Sequence, residues 1–203
     1  MKTKKTLLMA MAILVMTFIF GGCQKDGGGK LESGRFNGTI SATVENDAPG
    51  VGLVVAWNDA EISGGYLHGE QASDPATYSG NSFTLKLPNT PPSGCTSMTV
   101  KSVFENEMGI SGAKFSDPGV RIVGIDILGF NSAGDAMYGF FMQITPDEKM
   151  QCIYLYAEGD VTVTGGSNLK VSFEEGWNRL YISDKLITTK AQSGLVWYFN
   201  ELE

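Results

Sequence analysis

The 203-residue sequence predicts an all-β fold: a two-sheet antiparallel β-sandwich, with a barrel-like closure as its variant. Three observations carry this. Short stretches in which apolar and polar residues alternate recur along the chain. Turn clusters of Gly, Pro, Asn and Asp separate them about every eight to twelve residues. No stretch shows the three-to-four-residue period of a core helix.

The first element is a leader. Lys2, Lys4 and Lys5 precede Leu7 to Phe20, a run without charge, and Gly21, Gly22 and Cys23 follow. This is the layout of a secretory signal with a processing site after small residues. The apolar run falls short of the roughly 20 residues that a spanning helix needs. Phe20-Gly21-Gly22-Cys23 resembles a bacterial lipobox, with Phe20 in the place of the usual aliphatic residue. The resemblance implies that residues 1–22 are removed and that Cys23 becomes the mature N-terminus. It also implies a thioether-linked diacylglycerol on Cys23, with acylation of its amine by a palmitate-type chain. Each buried acyl CH₂ contributes about 0.8 kcal/mol, and two or three chains anchor stably where one does not.

Gln24 to Ser33, with three glycines in a row, reads as a flexible tether. The expected organisation is therefore a signal peptide over 1–22, a lipidated Cys and tether over 23–33, and one domain over 34–203. Gln24-Lys25-Asp26 also resembles the start of the acid-containing export signal of Bacteroidetes surface lipoproteins. Both faces of the outer membrane stay open as the address.

Charge narrows the partners. The chain has 15 Lys+Arg against 22 Asp+Glu, and three of the lysines sit in the leader. An acidic mature chain repels phosphate backbones, so nucleic acid is not an expected partner. The membrane is engaged through the lipid on Cys23, not through a basic surface.

In the domain, Phe36, Gly38, Ile40, Ala42 and Val44 alternate with polar residues, which predicts a half-buried strand. Val51 to Trp57 is apolar on both faces and is expected to be covered on both. Ile62 to His68 follows, broken at Gly64-Gly65. Phe83, Leu85 and Leu87 alternate through the next strand, and the proline-rich Pro88 to Gly94 must lie outside any sheet interior. Met98 to Phe104 reads as strand rather than short helix because of Thr99, Val100 and Val103. Val120 to Phe130 is apolar on both faces except for Asp126. Ala136 to Ile144 follows a hairpin-type loop, and Met150, Cys152, Tyr154 and Tyr156 share one face of the next strand. Glu175-Gly176 reads as a bulge or tight bend between Lys170–Glu174 and Trp177–Ile182. Leu195 to Phe199, with Trp197, is expected inside a sheet. About twelve strands result.

The second half, from Val120 to Phe199, resembles small envelope lipoproteins of Bacteroidetes with no assigned activity. The stretches IVGIDILGFNSAGDAMYGFF, YAEGDVTVTGG, EEGWN and SGLVWYF carry the likeness. It implies a β-sandwich and an envelope address, and it supplies no catalytic residues.

Candidate chemistry is sparse. Cys95 and Cys152 are candidates for a disulfide in an exported protein, or for free thiols, Cys152 being set among Met and Tyr. His68 is the single histidine, so any Ser-His or Cys-His site must use it; a surface role is the simpler reading. No metal site and no cofactor are expected. Asn131 and Asp135 do not match a calcium loop, Thr164-Gly165-Gly166-Ser167 lacks the phosphate-loop pattern, and Glu174-Glu175 point to opposite faces of an extended chain. Trp57, Trp177 and Trp197 stand near strand ends with Asn58, Asp59, Asn178 and Arg179 beside them. Trp57, Trp177 and Arg179 are thus candidates for a sugar-binding surface, against the simpler reading that the rings fill the core. The expected role is non-enzymatic binding or adhesion at the cell envelope, with a glycan or a protein as partner. The alternatives are a carbohydrate-binding accessory lipoprotein, an envelope hydrolase, which needs paired carboxylates in a cleft or His68 beside a nucleophile, and a subunit of a surface assembly, which needs a donated terminal strand or a long open sheet edge.

Overall fold

The alternating stretches of the sequence do form strands, and their period places two different apolar faces on one large sheet. The computed structural model describes residues 31–202; the leader, Cys23 and residues 24–30 lie outside the described residues. In chain order the first strands are β1 (Thr39–Thr43), β2 (Leu53–Ser63), β3 (Tyr66–Gln71), β4 (Ala76–Thr77), β5 (Ser82–Lys86) and β6 (Met98–Thr99). Then come β7 (Lys114–Phe115), β8 (Arg121–Phe130), β9 (Met137–Ile144) and β10 (Met150–Ala157). The last are β11 (Val161–Gly165), β12 (Leu169–Phe173), β13 (Gly176–Ser183), β14 (Leu186–Thr188) and β15 (Val196–Glu201).

β1 and β5 form a small antiparallel sheet. The large sheet runs β3-β2-β8 and then forks. The far edge of β8 pairs with β10 as far as Ile125↔Tyr154, and with β9 from Ile127↔Phe141. Beyond β10 the order is β13-β14-β12-β11-β7, while β15 lies on β9. Among the described pairs only β12 and β14 are parallel. The arrangement is an all-β sandwich without a closed barrel.

Alternation decides what each face buries. Val123, Ile125 and Ile127 of β8, with Cys152, Tyr154 and Tyr156 of β10, face Ile40, Phe83 and Leu85 of the small sheet. The opposite face carries two separate clusters. Ile122, Leu155, Val171 and Leu180 belong to one, and Val55, Leu128, Phe130 and Phe140 to the other.

Three expectations change. Met98 to Phe104 keeps only two strand residues. It then turns into one helical turn, Val100–Ser102, and a π-helical turn, Val103–Glu107. Thr99 caps it by accepting a hydrogen bond from Ser102 N, and Val100, Val103 and Phe104 are buried. The final strand is not interior. β15 pairs with β9 on one edge, and the other is covered by a bridge from Val44, by Glu45 N donating to Trp197 O, and by the Asn46 side chain. Residues 32 and 33, read as tether, already touch the domain: Thr189 Oγ1 donates to Glu32 O at 2.7 Å and Lys190 Nζ lies 3.4 Å from the Glu32 carboxylate.

Candidate functional site

The face of β8 that turns away from the small sheet presents Ile122, Gly124, Asp126, Leu128 and Phe130 in succession. Ile122 joins one cluster and Leu128 and Phe130 the other. Between them stand a residue without a side chain and a carboxylic acid. A Cβ added at Gly124 would meet nothing within 4 Å. The gap is a cleft of about 280 Å³, floored by β8 and lined by Ile153 and Leu155 of β10 and Leu180 of β13.

Its walls come from elements distant in sequence. Asn58, buried near the middle of β2, donates through Nδ2 to Gly124 O at 2.9 Å and to Thr96 O at 3.2 Å, and accepts from Thr96 N at 2.6 Å. This one amide ties the 96–98 segment to both β2 and β8. The helical turns contribute Val103, Phe104 and Glu107 to the lining. The wall next to Asn58 is a bulge, where the β2–β3 register shifts between Asn58 and Glu61. Asp59 sits there in the left-handed region, at φ 54°. Gly69 lies opposite, and a Cβ on it would come within 2.4 Å of the Asn58 and Asp59 carbonyl oxygens. The bulge therefore needs that glycine.

Asp126 lies opposite Trp57 in the β2–β8 ladder, at the residue where β8 changes partner from β10 to β9. It also lines a second gap of about 50 Å³ inside the fork, with Gln143, Gln151 and Cys152. Asp126 is half-buried, its carboxyl opening on the cleft with no hydrogen-bond or ion-pair partner among the described residues. Burial, and then the negative charge of Asp59, push its pKa up to about 7. Asp59, Glu107 and Asp126 all line the cleft, and no Lys, Arg or His does. Among the described residues no group of His, Cys, Asp and Glu is arranged to hold a metal ion. Chemically, the cleft can hold a small apolar body and either accept a positive charge or lend a proton.

The residues singled out in the sequence are scattered. Trp177 is 4% exposed; its Nε1 donates to Pro88 O at 2.6 Å and its ring meets Tyr156 edge-on. Trp197 stacks on Tyr154 and is 5% exposed. Trp57 is half-buried, packs against Phe130 and donates from Nε1 to His68 O. Trp57 and Trp177 belong to clusters on opposite faces of the large sheet, so they make no shared platform. Arg179 is near Trp177 in β13, but its guanidinium stacks over Phe36 at 4.7 Å and Tyr154 at 5.9 Å, with Nε buried and unpaired.

Cys95 and Cys152 are free thiols, so the disulfide considered above is not formed. Burial pushes the Cys152 pKa up to about 12 despite the neighbouring Arg179. A thiol so protonated is a core residue, not a nucleophile. His68 is exposed on β3, its Nε2 3.3 Å from Ser63 O. Glu174 pairs with Arg35, and Asn131 spends its side chain on the 131–135 turn. Asp126 appears in the sequence only as an exception in an apolar strand, Asp59 only as a neighbour of Trp57, and Glu107 not at all. The readable signal was a lone acid in a stretch apolar on both faces.

Fold and cleft together define an all-β two-sheet domain with an acid-bearing apolar cleft on the outer face of its larger sheet. No protein-family model matches the chain, and comparison with curated proteins and with solved structures found no match.

Proposed function

We propose that the chain is a lipid-anchored, non-enzymatic binding domain of the cell envelope, held at the outer membrane through Cys23, and that the cleft over Gly124 and Asp126 holds its ligand. The observation that carries the reading is the cleft itself: a formed, mostly apolar cavity with an unpartnered acid at its floor. Small-molecule sites have this character, and at about 280 Å³ this one is just below their usual range of roughly 300–1,000 Å³. The leader supports the envelope address. No helix among the described residues is long and apolar enough to cross a membrane.

Gly124→Val tests the cleft. The new Cβ enters open space, and the two methyl groups beyond it should occupy the floor of the cavity. A valine in a strand interior is also favoured over glycine by about 0.5–1 kcal/mol. The expected result is a protein at least as stable that has lost small-molecule binding; unchanged binding would remove the cleft from the account. Cys23→Ala tests the anchor. The full chain expressed in a diderm bacterium should take up a labelled palmitate analogue and sediment with membranes, and the variant should do neither.

A second reading has one specific support. Asp59 and Asp126 are two carboxyls on one cleft whose surroundings differ, and Asp126 is poised to donate a proton near neutral pH. That is one requirement of a carboxylate hydrolase. The apolar lining and the lack of a ring platform favour a small amphiphile over a polysaccharide as the guest. Sugar binding through Trp57 and Trp177 has less support, because the Trp177 ring is buried and Trp57 is partly covered.

A further inference from the structure

The geometry points to an organic ammonium ion with a short apolar body as the occupant of this cleft, its charge set against Asp126 and Asp59 and its body against Phe104, Ile153 and Leu180. The inference rests on the cleft being a ligand site and adds the chemical class of the ligand.

Charge complementarity carries it. Asp59, Glu107 and Asp126 line the cavity with no basic side chain among them. An anionic amphiphile would bring a further negative charge into an acidic, largely apolar space with no basic side chain to balance it. A neutral guest would leave the Asp126 carboxyl as unpartnered as it is now. A cation supplies the missing partner, and the low-dielectric walls strengthen that attraction. Apart from Asn58, Thr96 and Tyr154, the remaining lining is hydrocarbon and thioether, so the guest must be mostly apolar beyond its charged head. A bare metal ion would leave this surface uncovered, and the carboxyls do not form a metal cluster.

Binding is then linked to a proton. The groups facing Asp126 can be named by element. β2 contributes Asp59, the helical turn Glu107, and β10 the Cys152 thiol, which burial keeps protonated, and the Tyr154 phenol, which donates to Gln143 Oε1 at 2.7 Å. β9 and β15 contribute the neutral Gln143 and Asn200, and β13 the apolar Leu180. None of these neutralises a carboxylate. In the empty cleft the acid holds its proton up to about pH 7; an ammonium ion must take the place of that proton. Affinity for a cation should therefore fall as pH drops below 7, in proportion to the ionised fraction.

The test uses the full lipidated chain in nanodiscs, titrated calorimetrically with phenethylamine, 3-phenylpropanol and 3-phenylpropionate, with empty nanodiscs subtracted. The amine is charged throughout the range used. At about pH 8 the amine should bind at least tenfold tighter than the alcohol, and the carboxylate should not bind. Between about pH 8 and pH 6 the amine's affinity should weaken about tenfold. Asp126→Asn should abolish the pH dependence and weaken the preference, Asp59 remaining, while the alcohol still binds. An alcohol that binds as tightly as the amine, or an amine affinity independent of pH, overturns the inference and leaves the cleft as a ligand site. If no probe binds in a way that Gly124→Val blocks, the cleft is not a ligand site, and the reading beneath the inference fails with it.

Discussion

A carboxyl in the middle of a strand whose other residues are nearly all apolar carries a standing cost. Ionised, Asp126 would be a charge without a partner; protonated, it is a tolerable polar group. Folding raises its pKa from 3.8 to about 7, and the sign of the consequence follows. Between those two values the folded state holds a proton that the unfolded chain has released. The stabilisation from that proton is complete below about pH 4 and is lost as pH rises through 7. At about 1.4 kcal/mol per pH unit, the loss amounts to a few kcal/mol. Asp126→Asn has no charge to develop, so wild type and variant should be similarly stable near pH 4. Above pH 7 the variant should be the more stable, by ~2–4 kcal/mol. Urea unfolding at the two pH values measures this; parallel pH profiles would contradict it.

At the scale of elements, strand edges decide what the sheet leaves open. β15 is finished on its outer side by one side chain: Asn46 Nδ2 donates to Phe199 O and Asn46 Oδ1 accepts from Phe199 N, both at 2.7 Å. Asn46→Ala should cost about 1–3 kcal/mol and should leave the Phe199 amide to exchange with solvent. Denaturant unfolding with amide exchange reads both, and an unprotected Phe199 amide in the wild type would contradict the arrangement. The strands themselves were legible because burial alternates with side-chain direction. Phe83 and Leu85 are buried and Thr84 and Lys86 exposed, as their spacing required. The 98–107 segment was not legible. Thr99, Val100 and Val103 are β-branched and locally favour strand, but packing of Val100, Val103 and Phe104 into the second cluster overrides that preference. The edge of β15 was misread for a related reason. Leu195 to Phe199 is as apolar as an interior strand, but its second edge is closed by Val44 to Asn46, some 150 residues away in sequence.

For the whole molecule, the cleft exists because two clusters on one sheet face do not meet. Gly124 and Asp126 hold them apart, Asn58 fixes one wall, and the helical turns bring Glu107 and Phe104 to another. No local pattern announces such a gap, because it is made from the distance between elements rather than from any of them. The lone acid in Val120 to Phe130 was visible in the sequence; what it faced was not. Of the aromatic residues that looked most like binding residues, Trp177 and Trp197 are packed in the core, and Trp57 is half-buried against Phe130. The most direct measurement is a ¹³C NMR titration of the Asp126 side-chain carboxyl in the full chain. The account predicts a midpoint near 7 that moves down in Asp59→Asn, because the charge that helps hold the proton is gone. A midpoint in the ordinary carboxylate range of about 4, unmoved by that substitution, would mean that water already satisfies Asp126 and that the cleft has no partner to seek.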